Sequence, residues 1–232
     1  MTDMSILKLK ENGIKTTTLS ACIVFALGLI AYFAPVEIPH KVTIPVAILT
    51  IASIWLCPWQ ITLALLFSAV GDYFGSCENF LGQMGCFAVA HIWFIIYFIG
   101  RYLKKVEHDK KLTPKAKGYL GMVIFCTAAL LAITFFKIAP GVEPGIIRTG
   151  ICIYACLIGT MMFLALLQRS SLFALGAVLF VFSDLIIAWN MFVEPIPHSG
   201  YMIIVPYFAA QWLLFIRATP YRVAPEMRLM RF

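Results

Sequence analysis

Residues 41–74 read KVTIPVAILTIASIWLCPWQITLALLFSAVGDYF, and Lys41, Gln60 and Asp72 are the only strongly polar side chains in the run. How this run divides decides the fold. Taken whole it is one very long helix, whereas a break at Cys57-Pro58 makes it two. Proline has no N–H to donate and disfavours α conformation in the residue before it, so the break is expected. Working outward from helices over 41–57 and 59–74, further apolar segments run over 16–34, 80–103, 118–137, 145–168, 171–192 and 199–217. They are separated by turn chemistry at Pro35 and Pro39, Gly75-Ser76, Thr113-Pro114, Pro140-Gly141, Pro144-Gly145, Gln168 to Ser171, and Pro195 with Pro197. The expectation is an all-α membrane protein with eight transmembrane helices, forming one integral membrane domain over 1–232.

Composition supports a membrane class. The 232 residues are 62% hydrophobic and 12% charged, with a mean hydropathy of +0.92. Soluble domains carry about 25% charged residues. Lys and Arg collect on the cytoplasmic side of short loops. Eight spans with both termini cytoplasmic leave only Lys41, Lys137 and Arg148 of the 18 Lys and Arg outside, whereas seven spans would put the basic N- and C-terminal segments on opposite sides. The net charge of +7 then reads as a topology signal and not as a nucleic-acid surface. The first apolar segment has no small-x-small cleavage site before Pro35, so it is expected to be retained as a span. Such a chain fits a bacterial cytoplasmic membrane. The seven cysteines include no C-x-x-C pair and read mainly as packing residues, with Cys77 and Cys86 placed to bridge in an oxidising compartment. Only His91 of the four histidines lies deep in a span, so no metal site is expected.

Two aspartates stand out. Asp72, in Leu66-Phe67-Ser68-Ala69-Val70-Gly71-Asp72, and Asp184, in Leu179-Phe180-Val181-Phe182-Ser183-Asp184, sit inside or at the edge of apolar stretches. An aspartate at the centre of a spanning helix costs roughly 2.5–3.5 kcal/mol to insert, so each needs a reason. Eight spans put them on helices three and seven at neighbouring depths, with Lys41 and Asn190 in the same half of the membrane and His91 and Gln211 near mid-depth. The two runs, together with Ala88-Val89-Ala90-His91 and Phe208-Ala209-Ala210-Gln211, are compatible with a parallel four-plus-four helix repeat that would set the carboxyls across a shared cavity. Plain structural roles compete for several of these residues. Lys41 suits a snorkelling helix-end anchor, Gln211 and Tyr154 suit interhelical hydrogen bonds, and Tyr207 is as suited to core packing as to a cavity wall.

The ordered set Phe67 to Asp72, Phe87 to His91, Tyr154 with Met161 and Met162, Gly176 to Asp184 with Ala188 and Phe192, and Tyr207 to Gln211 resembles the YhhN family of eight-span membrane proteins. Its characterised members are lysoplasmalogenases. The likeness covers nearly the whole chain; one departure is Phe94, where the family is expected to carry Tyr. It implies hydrolysis of the 1-alkenyl ether bond of a lysophospholipid drawn from the bilayer, giving a fatty aldehyde and a glycerophospho-base.

The residues suit that chemistry on their own terms. A vinyl ether hydrolyses by protonation at carbon, capture of the oxocarbenium ion by water, and collapse of the hemiacetal. An acid, a counter-charge and a held water suffice, so no metal or organic cofactor is called for. Two neighbouring carboxyls can share one proton near neutral pH, which makes Asp72 and Asp184 the expected catalytic pair. His91 would orient or relay, and Lys41 or Arg148 would meet the phosphate. Tyr154, Ser183, Asn190, Tyr207 and Gln211 complete the expected supporting set. Two other readings use the same aspartates. One is a lipid or proton-coupled transporter with an aspartate relay. The other is an intramembrane aspartyl protease, which Ala69-Val70-Gly71-Asp72 fits poorly because G-x-G-D is absent.

Overall fold

The structure, a computed structural model, describes residues 3–106 and 114–219, with side chains over 13–104 and 118–219. Lys110, Lys111 and the basic residues beyond 219, together with the side chains of Lys8, Lys10, Lys105, Lys115 and Lys117, all used in the charge argument, lie outside the described set.

Among the described residues, eight α-helices follow in chain order: α1 (Asp3–Phe33), α2 (Thr43–Leu56), α3 (Trp59–Ser76), α4 (Phe80–Val106), α5 (Pro114–Ile133), α6 (Ile146–Leu167), α7 (Ser171–Phe192) and α8 (Ser199–Ala218). A π-helical turn (Thr134–Ile138) and a 3-10 turn (Ala139–Gly141) prolong α5. Cys57 is extended (φ −119°, ψ 161°) and Pro58 starts the next helix, so the 41–74 run is divided where its proline requires.

The span count needs correction. Among the described residues, six helical stretches are long and apolar enough to cross a membrane: Gly13–Phe33, Phe80–Lys104, Gly118–Gly141, Ile146–Leu167, Ser171–Phe192 and Ser199–Ala218. The expected eight included α2 and α3. With 14 residues at 1.5 Å each, α2 is about 21 Å long, short of a hydrocarbon layer of about 30 Å. In α3, the 18 residues include Gln60, Gly71, Asp72, Gly75 and Ser76, which dilute its apolar character. An even count of six still puts both termini on one side, but six spans do not divide into four plus four, so the expected repeat of eight spanning helices falls with the count. The chain is an integral, multi-spanning all-α membrane protein.

Packing follows stripes at helical spacing. On α3 the buried face is Ile61, Ala64, Leu65, Ser68, Ala69 and Asp72. On α4 it is Phe87, Ala90, His91, Phe94, Tyr97 and Phe98. On α7 it is Phe173, Gly176, Ala177, Phe180 and Val181, and on α8 Tyr207, Ala210, Gln211, Leu214 and Ala218. The polar residues of interest therefore lie on core-facing stripes, while Ile23, Leu27, Trp55, Phe125, Phe136 and Ile153 cover the outside with apolar surface. The closest pairings are α3 with α4 and α7 with α8, and α6 bridges α4 to α7. None of the seven cysteines is in a disulfide, Cys77 and Cys86 included.

Candidate active site

Asp72 closes the buried stripe of α3, and the residue before it explains how close α4 comes. A β-carbon at Gly71 would sit 3.1 Å from the Phe87 ring, so glycine is what lets the ring lie against the helix one residue from the carboxyl. Phe87 then meets Phe180 of α7 and Tyr207 of α8 edge-on, with centroids 6.0 and 5.7 Å away, and Phe180 and Tyr207 are themselves 5.6 Å apart at 89°. Three mutually edge-on rings are the arrangement their quadrupoles favour. This cluster holds α3, α4, α7 and α8 together beneath the two carboxyls.

Both aspartates line one cavity of about 220 Å³, together with Val42, Gly75, Ser76, Gln83, Phe87, Ser183, Ile187, Ile203, Ile204 and Tyr207. Each accepts a hydrogen bond from a tyrosine on another helix. The Tyr207 hydroxyl donates to Oδ2 of Asp72 at 2.9 Å, and the Tyr154 hydroxyl of α6 donates to Oδ2 of Asp184. Asp72 is 4% exposed, so its tyrosine is its shield as well as its partner.

His91 stands behind Asp184. Its Nε2 is 3.0 Å from the Tyr154 oxygen and 3.8 Å from Asp184 Oδ2, and the ring is fully buried against Phe180 at 4.8 Å. Because the Tyr154 proton goes to Asp184, the Tyr154 oxygen accepts from His91, which assigns the imidazole proton to Nε2. Nδ1 has no hydrogen-bond partner among the described residues.

The remaining expected residues divide. Tyr207 and Ser183 are on the cavity wall. The Ser183 hydroxyl donates to the Ile203 carbonyl at 2.9 Å, in the stretch of α8 where Pro206 interrupts the helical N–H series, so its visible role is to tie α7 to α8. Gln211 is fully buried one turn after Tyr207, and its amide makes no hydrogen bond of standard geometry. Asn190 is elsewhere: its Oδ1 accepts from the Ile196 N–H at 2.8 Å and caps the turn after α7. Lys41 lines a neighbouring cavity, and Arg148 lines neither. Phe94 is fully buried and stacks on Phe98, a packing position. Ser76 and Gln83 are wall residues that the sequence reading passed over. Gln83 was findable, since 83, 87 and 91 repeat every four residues along α4 and place it on the face of His91. Among the described residues, no three His, Cys, Asp or Glu side chains converge as a metal site.

The chain is 30% identical over 155 residues to "Lysoplasmalogenase TMEM86B" of Sus scrofa, covering 65% of this chain and 59% of that protein. It is 32% identical over 166 residues to the protein of the same name from Rattus norvegicus, covering 69% and 61%, and 29% over 159 residues to that of Homo sapiens, covering 67% and 61%. The chain thus spans about three fifths of the length of the curated relatives it matches. No solved structure matches it. The model of the YhhN family matches residues 40–218, which include both aspartates, both tyrosines and His91, and by that match over most of its length the chain belongs to the YhhN family.

Proposed function

We propose that the protein is an intramembrane hydrolase that cleaves the vinyl ether bond of a lysoplasmalogen-type lipid to a fatty aldehyde and a glycerophospho-base, with Asp72 and Asp184 as its acid and base. The observation that carries this is the shared cavity, in which two carboxyls on different helices each accept a tyrosine hydroxyl through Oδ2. That leaves Oδ1 of each for the substrate and its water. The names of the relatives supply the substrate class.

The two environments divide the roles. Asp184 has the His91 imidazole 3.8 Å away, a partner for negative charge, and is assigned the ionised form. Asp72 has no basic partner among the described residues and is assigned the proton. Asp72 protonates the alkene carbon remote from the ether oxygen, and the positive charge is shared between the other alkene carbon and that oxygen. The Asp184 carboxylate faces this cation and takes a proton from the water that adds to it, a division of labour known for carboxylate pairs that pass through oxocarbenium-like states. Asp184 then returns the proton it took from water to the ether oxygen as the hemiacetal C–O bond breaks, and Asp72 takes the hemiacetal hydroxyl proton, which restores both groups. One water is consumed, and aldehyde and glycerol hydroxyl leave. Apolar Ile187, Ile203 and Ile204 on the wall suit the first carbons of a lipid chain whose remainder lies along the apolar outer surface.

The test is aldehyde release from a 1-alkenyl lysophospholipid by the purified protein in nanodiscs. Asp72→Asn and Asp184→Asn should each lower the rate by at least about a hundredfold, the usual scale of general acid–base catalysis, with helix content unchanged. Full activity in either variant would sink the pair. A proton-coupled transporter is the second reading, favoured by the His91–Tyr154–Asp184 chain of hydrogen bonds. It would release no aldehyde.

A further inference from the structure

A second cavity, of about 360 Å³, opens beside the first. Its walls are Tyr32 and Phe33 at the end of α1, Lys41 before α2, and His198, Gly200 and Tyr201 at the start of α8. Ile204 lines both cavities, and Val42, the neighbour of Lys41, lines the first. The two spaces are therefore contiguous, one walled by carboxyls and the other by cationic and aromatic groups.

The Lys41 ammonium is held but not neutralised. Its Nζ lies 3.5 Å from the carbonyl oxygens of Ala34 and Val36 and 5.7 Å from the centroid of the Tyr32 ring. Ordinary N–H···O bonds are about 2.9–3.0 Å long, so those two contacts leave donor capacity unspent. Among the described residues no carboxylate forms an ion pair with it. Gly200 brings the first turn of α8 to the wall, and the amino end of a helix carries partial positive charge. His198, held in a left-handed conformation at φ 57°, sets an imidazole at the same wall. Across the opening, Phe33 and Tyr201 stack with planes 5° apart.

Resting on the hydrolase reading, we propose that this second cavity seats the phosphate of the lipid headgroup on Lys41, with the stacked Phe33 and Tyr201 rings beside the headgroup base. In a 1-alkenyl glycerophospholipid only the glycerol backbone separates the reacting ether from the phosphate, and the two cavities share Ile204 and adjoin at Lys41–Val42. A lipid bridging them presents its ether to Asp72 and Asp184 and its anion to Lys41. A phosphate next to the two carboxyls would be repelled, so the same charge pattern also sets the direction in which the substrate lies.

The experiment measures equilibrium binding, to the full chain in nanodiscs, of a 1-alkyl-glycerophosphocholine, whose saturated ether cannot be cleaved, and of a 1-alkylglycerol with the same chain. The native chain should prefer the phospholipid, and Lys41→Met should reduce that preference about tenfold, the scale of one charge-assisted hydrogen bond. Lys41→Arg should keep most of it, which separates loss of charge from loss of folding. His198→Asn, which tolerates the left-handed backbone, should reduce it less than Lys41→Met. An unchanged preference in Lys41→Met overturns the assignment. So does displacement of the lipid by inorganic phosphate as readily as by the phospholipid, which would make this a site for the free anion. Because binding needs no turnover, a Lys41-dependent preference in a protein that releases no aldehyde would leave the seat standing and remove the hydrolase reading alone.

Discussion

The Tyr207 hydroxyl donates to the Asp72 carboxyl at 2.9 Å, joining residues 135 apart in the chain. The bond links two helices, α8 and α3, and engages one of the two carboxyl oxygens. A second tyrosine does the same for Asp184. The two contacts make separate predictions.

Tyr207→Phe keeps the ring in its edge-on cluster and deletes only the donor. A hydrogen bond to a charged group contributes about 1.5–3 kcal/mol, and each 1.4 kcal/mol is tenfold in rate. If the bond matters in the transition state, kcat for aldehyde release should fall about tenfold to a hundredfold with KM little changed. A fall in KM-limited rate alone would place Tyr207 in binding.

Tyr154 and His91 should act as a unit, since the imidazole reaches Asp184 through the phenol oxygen. Tyr154→Phe and His91→Gln should each lower kcat, and the double variant should be little worse than the poorer single one. A double-mutant cycle on kcat/KM should show a coupling of at least about 0.5 kcal/mol, the lower end for residues in one network. Strictly additive losses would show that they act independently.

Gly71→Val tests the close approach of α3 to α4. The new side chain would press on a Phe87 ring already engaged by Phe180 and Tyr207. Overpacking of this kind typically costs about 1–3 kcal/mol. The thermal midpoint in nanodiscs should drop, and activity should drop further because Tyr207 moves with the ring. An unchanged midpoint would mean that the cluster relaxes freely.

Asn190→Ala separates a fold role from a site role. Loss of its bond to the Ile196 N–H should cost about 1 kcal/mol, the usual worth of one such bond, seen as a lower midpoint. Aldehyde release per folded molecule should match the native chain. A large loss of rate at unchanged stability would return Asn190 to the site.

The amino-acid sequence by itself determined the solvent and the anomalies. Its composition requires a membrane, Pro58 requires a break, and Asp72, His91, Asp184 and Gln211 stand out because they occupy apolar stretches where polar groups need a reason. It also carried the family, through motifs read in order along the chain. Tertiary structure decided the rest. The span count turned on the modest length of α2 and the diluted apolarity of α3, which a list of eight apolar runs does not weigh against bilayer thickness. Partnerships were equally hidden. Asn190 looked like a neighbour of Asp184 because it is near it in sequence, yet it caps a turn, whereas Ser183 shares the cavity wall with Asp184 and also braces α8. The tyrosine that serves each aspartate comes from another helix, α8 for Asp72 and α6 for Asp184. Local spacing fixes which face of a helix a residue occupies, because that depends on rotation of 100° per residue. Which residue it meets depends on how whole helices pack, and no local property of the chain encodes that.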